Sequence, residues 1–293
     1  ERVRSHIPVT STPSTDGIPQ NVGPARILHP LYAEIGWLET DTSRPFGAQG
    51  VYSRPYVAAT EGRRAGPVSG YLLSVAPGGV PDPGLEILIY AKAERIELDA
   101  NGAAEVGAKL KRSALHQDSP GTNGVARLRR GGLLVLASGA LATPRLLLRS
   151  GIGPRGREPE MLPAGSPPFA IDNPRVGVGV FDHVITLVAY DYDGPVEYRA
   201  YDYGDYAGNA PDLARYLATG AGPYAQYQPV SIANYSSTGA TPDTEIFVNP
   251  NGVGTPGGPY YGPRTLATYV MLLEPKARGL IRPDERGNVR APD

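Results

Sequence analysis

Apolar positions repeat with two different periods along this chain, and the change of period marks its parts. From residue 85 to residue 137 the period is close to two. Leu85 to Tyr90 is an apolar run of strand length, and Ala91 to Leu98 alternates with Ile96 and Leu98 on one face. Asn101-Gly102 then suits a type I′ turn, whose two central residues both need positive φ. Val106, Ala108 and Leu110 continue the alternation on a return strand, and Asn123-Gly124 turns the chain into Val125 to Arg130. The stretch ends on Leu133 to Ala137, a continuous apolar run of the kind shown by strands buried on both faces. An antiparallel meander is expected here.

Helical spacing appears on either side of it. Pro24 to Ile35 reads as an amphipathic helix ended by Gly36, with Trp37 following as a core or interface anchor. Val68 to Val75 reads as a second, short helix. After the small-residue turn Ser138-Gly139-Ala140, Thr143 and Pro144 supply an N-cap and a first helical residue. Leu146 and Leu147 bury one side of that helix, Arg145 and Arg149 share the wet side, and Gly151 and Pro154 stop it. Further on, Ile185 to Tyr190, Ile246 to Val248 and Thr265 to Leu273 read as strands, and Leu213 to Ala218 as a helix. The fold class expected is mixed α/β, and the length allows two domains or one large one.

Composition narrows the chemistry. The chain has 293 residues, 41% apolar and 19% charged, with 37 glycines and 31 prolines, which fits a globular protein with long ordered loops. A formal net charge of −1 gives no reason to expect a nucleic-acid or membrane partner. Without cysteine, disulfides, thiolate metal sites and cysteine nucleophiles are excluded together. No apolar run approaches the ~20 residues that span a bilayer. His-Glu-x-x-His is absent, and Asp191-x-Asp193-Gly194 has too few ligands for a calcium loop, so no metal site is expected.

Three features carry candidate chemistry. The strand, small-residue turn and helix of Gly131 to Pro154 are either an ordinary packing unit or the edge of a nucleotide-cofactor site. Ser150, in Ser-Gly-Ile-Gly, lacks the flanking glycines of a nucleophile elbow and is expected to cap or pack. Tyr190, Tyr192, Tyr198, Tyr201, Tyr203 and Tyr206 crowd one loop with Asp191, Asp193, Asp202 and Asp205 between them. Such a loop either packs locally or stacks on sugar rings, and Tyr201 and Tyr203 are the substrate-side candidates. Of the four histidines, His183 follows Asp182, but neighbours on a strand point to opposite faces. No catalytic residue is assigned.

The residue string is more specific than the shape. Gly139, Ala140, Thr143, Pro144, Leu146-Leu147 and Ser150-Gly151-Ile152-Gly153 resemble the second signature of the glucose–methanol–choline (GMC) family of FAD-dependent oxidoreductases. Ala93 to Leu98 with Val106-Gly107 is similar to the strand pair before that signature. The resemblance implies that the Ala93 backbone contacts the adenine of FAD. Arg63 to Pro67 with Tyr71-Leu72 resembles the segment leading in. Asn173 to His183 resembles the family's crossing into the substrate domain, with Val180 and Phe181 as departures. Thr268 to Gly279 resembles its Pro-Lys-x-Arg-Gly turn, and Thr12 to Gly17 leans toward the cellobiose-dehydrogenase branch.

The resemblance implies a partial Rossmann-like FAD-binding domain with a β-meander over residues 1–170, with substrate-side segments interspersed, and a partial substrate domain on an antiparallel sheet over residues 171–293. It also implies hydride transfer from a CH–OH donor, a small alcohol or carbohydrate, to FAD. The cofactor-side residues are then Ala93, Ala137, Ser138, Gly139, Ala140 and Thr143, and an extracellular, secreted location is expected. The family's Gly-x-Gly-x-x-Gly loop is not matched: Gly177-Val178-Gly179 lacks the third glycine, and Gly151-Ile152-Gly153 closes a helix. The family's catalytic histidine lies beyond the Pro-Lys-x-Arg-Gly turn. The chain therefore reads as an internal fragment, expected to be inactive alone and to hold FAD weakly. The competing expectation is a non-catalytic binding or structural module that retained the scaffold.

Overall fold

The computed structural model describes residues 3, 5–42, 47, 50–72, 84–97, 107–112, 124–129, 131–195, 201–226, 230–249, 262, 264–283 and 289–290. Among them are four α-helices: α1 Gly23–Glu34, α2 Gly139–Arg149, α3 Glu158–Met161 and α4 Ala210–Thr219. Strands in several small sheets make up the rest of the regular structure, so the class is mixed α/β. Contacts gather the chain into two units. One is Glu1–Gly84 with His183–Pro275, and the other is Leu85–Asp182 with Lys276–Asp293. Each unit is woven from two separate stretches of the chain.

The first unit is built on a six-stranded sheet. Its order is Val184–Asp191, Thr265–Leu272, Thr244–Asn249, Ser231–Tyr235, Val51–Ser53 and Leu38–Glu39. All neighbours pair antiparallel except the last two. α1 covers the sheet because its apolar positions fall on one stripe. Ile27, Leu28 and Tyr32 pack with Tyr52, Ala233, Val248 and Leu266 in one core. Burying side chains of this size is worth ~1.5–3 kcal/mol each, which places the helix more firmly than its propensity would. Trp37 stacks between Tyr32 and Tyr235, at 5.2 and 5.9 Å, and so anchors the rim of this core.

The second unit carries a three-stranded antiparallel sheet of Ala91–Glu97, Gly107–Arg112 and Gly124–Arg127. This is the expected meander, with an irregularity in the first strand between Ala93 and Arg95. α2 packs on that strand. The Ser150 hydroxyl joins the two, donating to the Leu146 carbonyl at 2.6 Å and accepting from the Ile96 N–H at 2.8 Å. Ser150 thus packs and bridges, as expected of it. A separate core gathers Leu148 of α2, Met161 of α3, Phe169, Val176 and Ile281.

Several expectations need correction. Leu85 to Tyr90 is not a strand: Tyr90 turns out of the extended region at φ 57°, and the ladder starts at Ala91. The strand after Gly124 ends at Arg127, short of Arg130. Leu133 to Ala137 forms no ladder among the described residues, and Leu133 and Val135 stand 83% and 72% exposed. An apolar pattern records a tendency toward burial and does not by itself supply the pairing that makes a strand. α2 starts at Gly139, well before Thr143, and Pro144 lies inside it. The Thr143 hydroxyl accepts from the Ser138 N–H at 3.0 Å, closing the helix start from within instead of capping it. Val68–Leu72 is one wide turn, and residues 73–75 lie outside the described residues. So do Leu98, Asn101, Gly102, Val106, Asn123 and Tyr198.

Candidate functional site

The start of α2, in the second unit, is open at its backbone. Gly139 has φ +90°, and a Cβ there would meet nothing within 4 Å, so the backbone lies open to an incoming group. α2 has no acidic residue in its first turn, which leaves the positive end of its dipole uncompensated. Pro144 has no N–H to give, so the Ala140 carbonyl lacks the donor that the helix would supply four residues on.

Two hollows flank this helix start. One, of about 260 Å³, is lined by Ala93 and Lys92 of the first meander strand and by Ser138, Arg145 and Arg149. The other, of about 530 Å³, lies between Ala140, Thr143 and Leu147 of α2 and the segment Asn173 to Phe181. Ala93 and Ser138, far apart in sequence, therefore meet at one hollow, while Ala140 and Thr143 face its neighbour. Ala137 and Gly139 are exposed and line neither. Lys92, Arg145 and Arg149 outnumber Glu94 in the first hollow, which makes it a receptor for negative charge. Sequence reading left Lys92 unnoticed and gave the arginines only a wet helix face. Their i, i+4 spacing was the available signal. At the second hollow, the Arg278 guanidinium lies 4.3 Å from the Phe181 ring centroid.

The first unit brings Tyr201 and Tyr203 together, ring centroids 4.8 Å apart, with Tyr224 edge-on to both. Both hydroxyls are engaged inside the chain. Tyr201 donates to Asp212 Oδ2 at 3.0 Å, and Tyr203 Oη accepts from Asn21 Nδ2 at 2.6 Å. Burial pushes both pKa values up, and the Asp212 carboxylate adds to the rise at Tyr201. Neither is a proton carrier near neutral pH.

His29 lies within α1. Its Nε2 lies 3.2 Å from Ser231 Oγ, with the Tyr52 ring at 4.8 Å. Burial holds its pKa below the ordinary value, Arg54 adds to that, and Glu39 opposes it. Ser231 is only 1% exposed, so the pair is a packed polar contact without access for an acyl donor. His6 stacks on Tyr71 at 4.7 Å, and His116 lies outside the described residues. Glu245 is half-buried, and burial raises its pKa against the opposing charge of His183. Among the described residues no cluster of His, Cys, Asp and Glu could hold a metal ion, and no helix is long and apolar enough to cross a membrane.

Comparison with known proteins agrees with this architecture. A family profile described as GMC oxidoreductase matches residues 33–185, over half of the chain. The oxygen-dependent choline dehydrogenase of Burkholderia ambifaria (strain MC40-6) is 31% identical over 163 residues, 56% of this chain and 25% of the relative. That of Burkholderia vietnamiensis is similar to the same extent. Among solved structures, pyridoxine 4-oxidase from Mesorbium loti superposes with a TM-score of 0.63 at 20% identity, over 97% of this chain and 48% of its own. Formate oxidase superposes with a TM-score of 0.68 at 15% identity, over 98% and 50%. These superpositions show the fold. The chain spans about half the length of the two oxidases, and its match covers a quarter of the choline dehydrogenases.

Proposed function

Because the chain belongs to the GMC oxidoreductase family, whose members are FAD-dependent, we propose that it supplies flavin-side and donor-side parts of an enzyme oxidising a CH–OH group. The donor is a small alcohol or sugar. The observation that carries this reading is the meeting of Ala93 and Ser138 at one cationic hollow beside the start of α2.

The residues present fit a dinucleotide. Gly139 leaves open space at the backbone, the α2 N-terminus favours an anion, and Lys92, Arg145 and Arg149 offset negative charge. Ala93, Ala137, Ser138, Gly139, Ala140 and Thr143 would hold FAD together with those three cations. FAD held there would supply the acceptor for the electron pair that leaves the donor carbon as hydride. The chain's own residues bind and orient, and Ser150 keeps α2 and the strand of Ala93 in register. On the donor side, Tyr201 and Tyr203 act through their rings, since their hydroxyls are engaged. The separation by contacts suggests that the second unit carries the flavin side and the first the donor side.

The test uses the purified protein that carries this chain. Its flavin absorbance is expected to bleach on anaerobic addition of an alcohol or sugar donor. Gly139→Asp, which puts a carboxylate into open space, is expected to lose flavin with the fold retained, as read by circular dichroism. A protein that stays colourless after incubation with FAD would refute the reading.

A further inference from the structure

The strand Val184–Asp191 lies at one end of the six-stranded sheet, and among the described residues nothing pairs with its outer edge. Edge strands are usually blunted by proline, lysine, a bulge or short length. This one has none of these devices: its eight residues, VITLVAYD, run in unbroken register against Thr265–Leu272. It is also apolar on both faces. Val184, Ile185 and Val188 are each more than half exposed, and Leu187 and Tyr190 are exposed beside them.

The ladder fixes which backbone groups turn outward. The Tyr192 N–H donates to the Arg264 carbonyl at 3.0 Å, in line with the register that pairs Val184 with Leu272. Bonded and unbonded pairs alternate along an antiparallel ladder. Even-numbered residues of the strand therefore bond inward, while Ile185, Leu187 and Ala189 turn N–H and C=O toward the open edge. A two-fold axis needs a self-complementary surface, and a strand paired antiparallel with its own copy supplies one. Centred on Leu187, such a pairing sets Ile185 opposite Ala189 and Val184 opposite Tyr190, so apolar meets apolar on both faces. It also sets His183 opposite Asp191 on each side of the axis, so an imidazole faces a carboxylate at both ends. Centring on Thr186 would put Asp191 against Phe181, and centring on Val188 would put it against Ile185. Both lose the charge match.

We propose that the chain forms a two-fold dimer in which two copies of Val184–Asp191 pair antiparallel about Leu187. The two six-stranded sheets then run on as one. The interface is independent of the flavin reading, and its test needs no cofactor.

The sequence has no cysteine, so a single introduced thiol in the purified chain reports only its own mate across the axis. Bonded antiparallel partners stand ~5.5 Å apart at Cα, within the reach of a disulfide. Leu187→Cys is expected to give a covalent dimer on mild oxidation, read by non-reducing electrophoresis, and Thr186→Cys and Val188→Cys are not. In sedimentation the unaltered chain is expected as a dimer that dissociates on dilution. His183→Asp sets two carboxylates face to face at each end and should weaken the dimer by about tenfold or more. The swap His183→Asp, Asp191→His should recover it. Ile185→Lys should give a monomer whose circular dichroism is unchanged. A chain that is monomeric at every concentration would overturn the proposal, as would Thr186→Cys or Val188→Cys crosslinking better than Leu187→Cys. So would a swap no tighter than the single variant. Another stretch of the chain lying along this edge would leave Leu187→Cys uncrosslinked, which overturns it as well.

Discussion

At the scale of one residue, burial is the first influence on what His29 can do. With its Nε2 on Ser231 and rings of Tyr32 and Tyr52 nearby, the imidazole is held neutral, its pKa below 6.5. A histidine with a lowered folded pKa binds fewer protons than it does unfolded. The stability it contributes is therefore present above the unfolded value and lost as pH falls through the interval below it. Melting temperature is expected to drop as pH falls below the ordinary imidazole value, and His29→Gln should flatten that drop, as thermal melts across the range would read. Glu245 acts in the opposite sense: burial raises its pKa, so acidification relieves its cost as pH falls through the raised value. Glycines divide in the same residue-by-residue way. Gly139 sits at φ +90° in open space, so Gly139→Ala bears backbone strain alone, ~1–2 kcal/mol. Gly62 combines φ +72° with the Gly220 carbonyl in the path of any Cβ. Gly62→Ala should therefore lose clearly more than Gly139→Ala in paired urea melts.

At the scale of elements, one hydroxyl joins α2 to the meander. Ile96 is 4% exposed, and its N–H has Ser150 Oγ as acceptor. Ser150→Ala leaves that N–H buried and unmet, which should cost ~1–3 kcal/mol in denaturant unfolding. Ser150→Thr, which keeps the hydroxyl, should recover most of it. The strands of this region were legible because alternation is a local signal that a half-buried sheet imposes directly. α1, α4 and the strands Val184–Asp191, Thr244–Asn249 and Thr265–Leu272 were legible for the same reason. The start of α2 was not, since Thr143-Pro144 has the composition of a helix entry while the backbone enters earlier, through the positive φ of Gly139. Tyr90 broke its strand through a left-handed φ that no tyrosine pattern announces. The residues proposed for the flavin side were read from a residue string, and Ala93 and Ser138 line one hollow. The cationic lining could not be, because Lys92 reaches Arg145 and Arg149 only through tertiary packing. Nor could the buried Tyr224 hydroxyl, which has no hydrogen-bond partner among the described residues.

At the scale of the molecule, surface and connectivity set the behaviour. The net charge of −1 and a pI of about 6.5 leave little repulsion between copies near neutral pH. Leu133 and Val135 are exposed in an unladdered run, and the sheet-edge strand Val184–Asp191 exposes Val184, Ile185 and Val188. Such edges template association. Val135→Lys is expected to lower turbidity near pH 6.5 without lowering the melting temperature. The interleaving of the two units has a consequence for how the polypeptide is made. The core that holds Leu148 and Phe169 also needs Ile281, whose N–H bonds the Gly177 carbonyl. α1 finds its sheet only after Val248 and Leu266 have appeared. A ribosome adding ~5–20 residues per second therefore releases α1 many seconds before its partners exist. During that interval Ile27, Leu28 and Tyr32 face water, and the nascent chain is a client for whatever chaperone binds apolar helices at the exit tunnel.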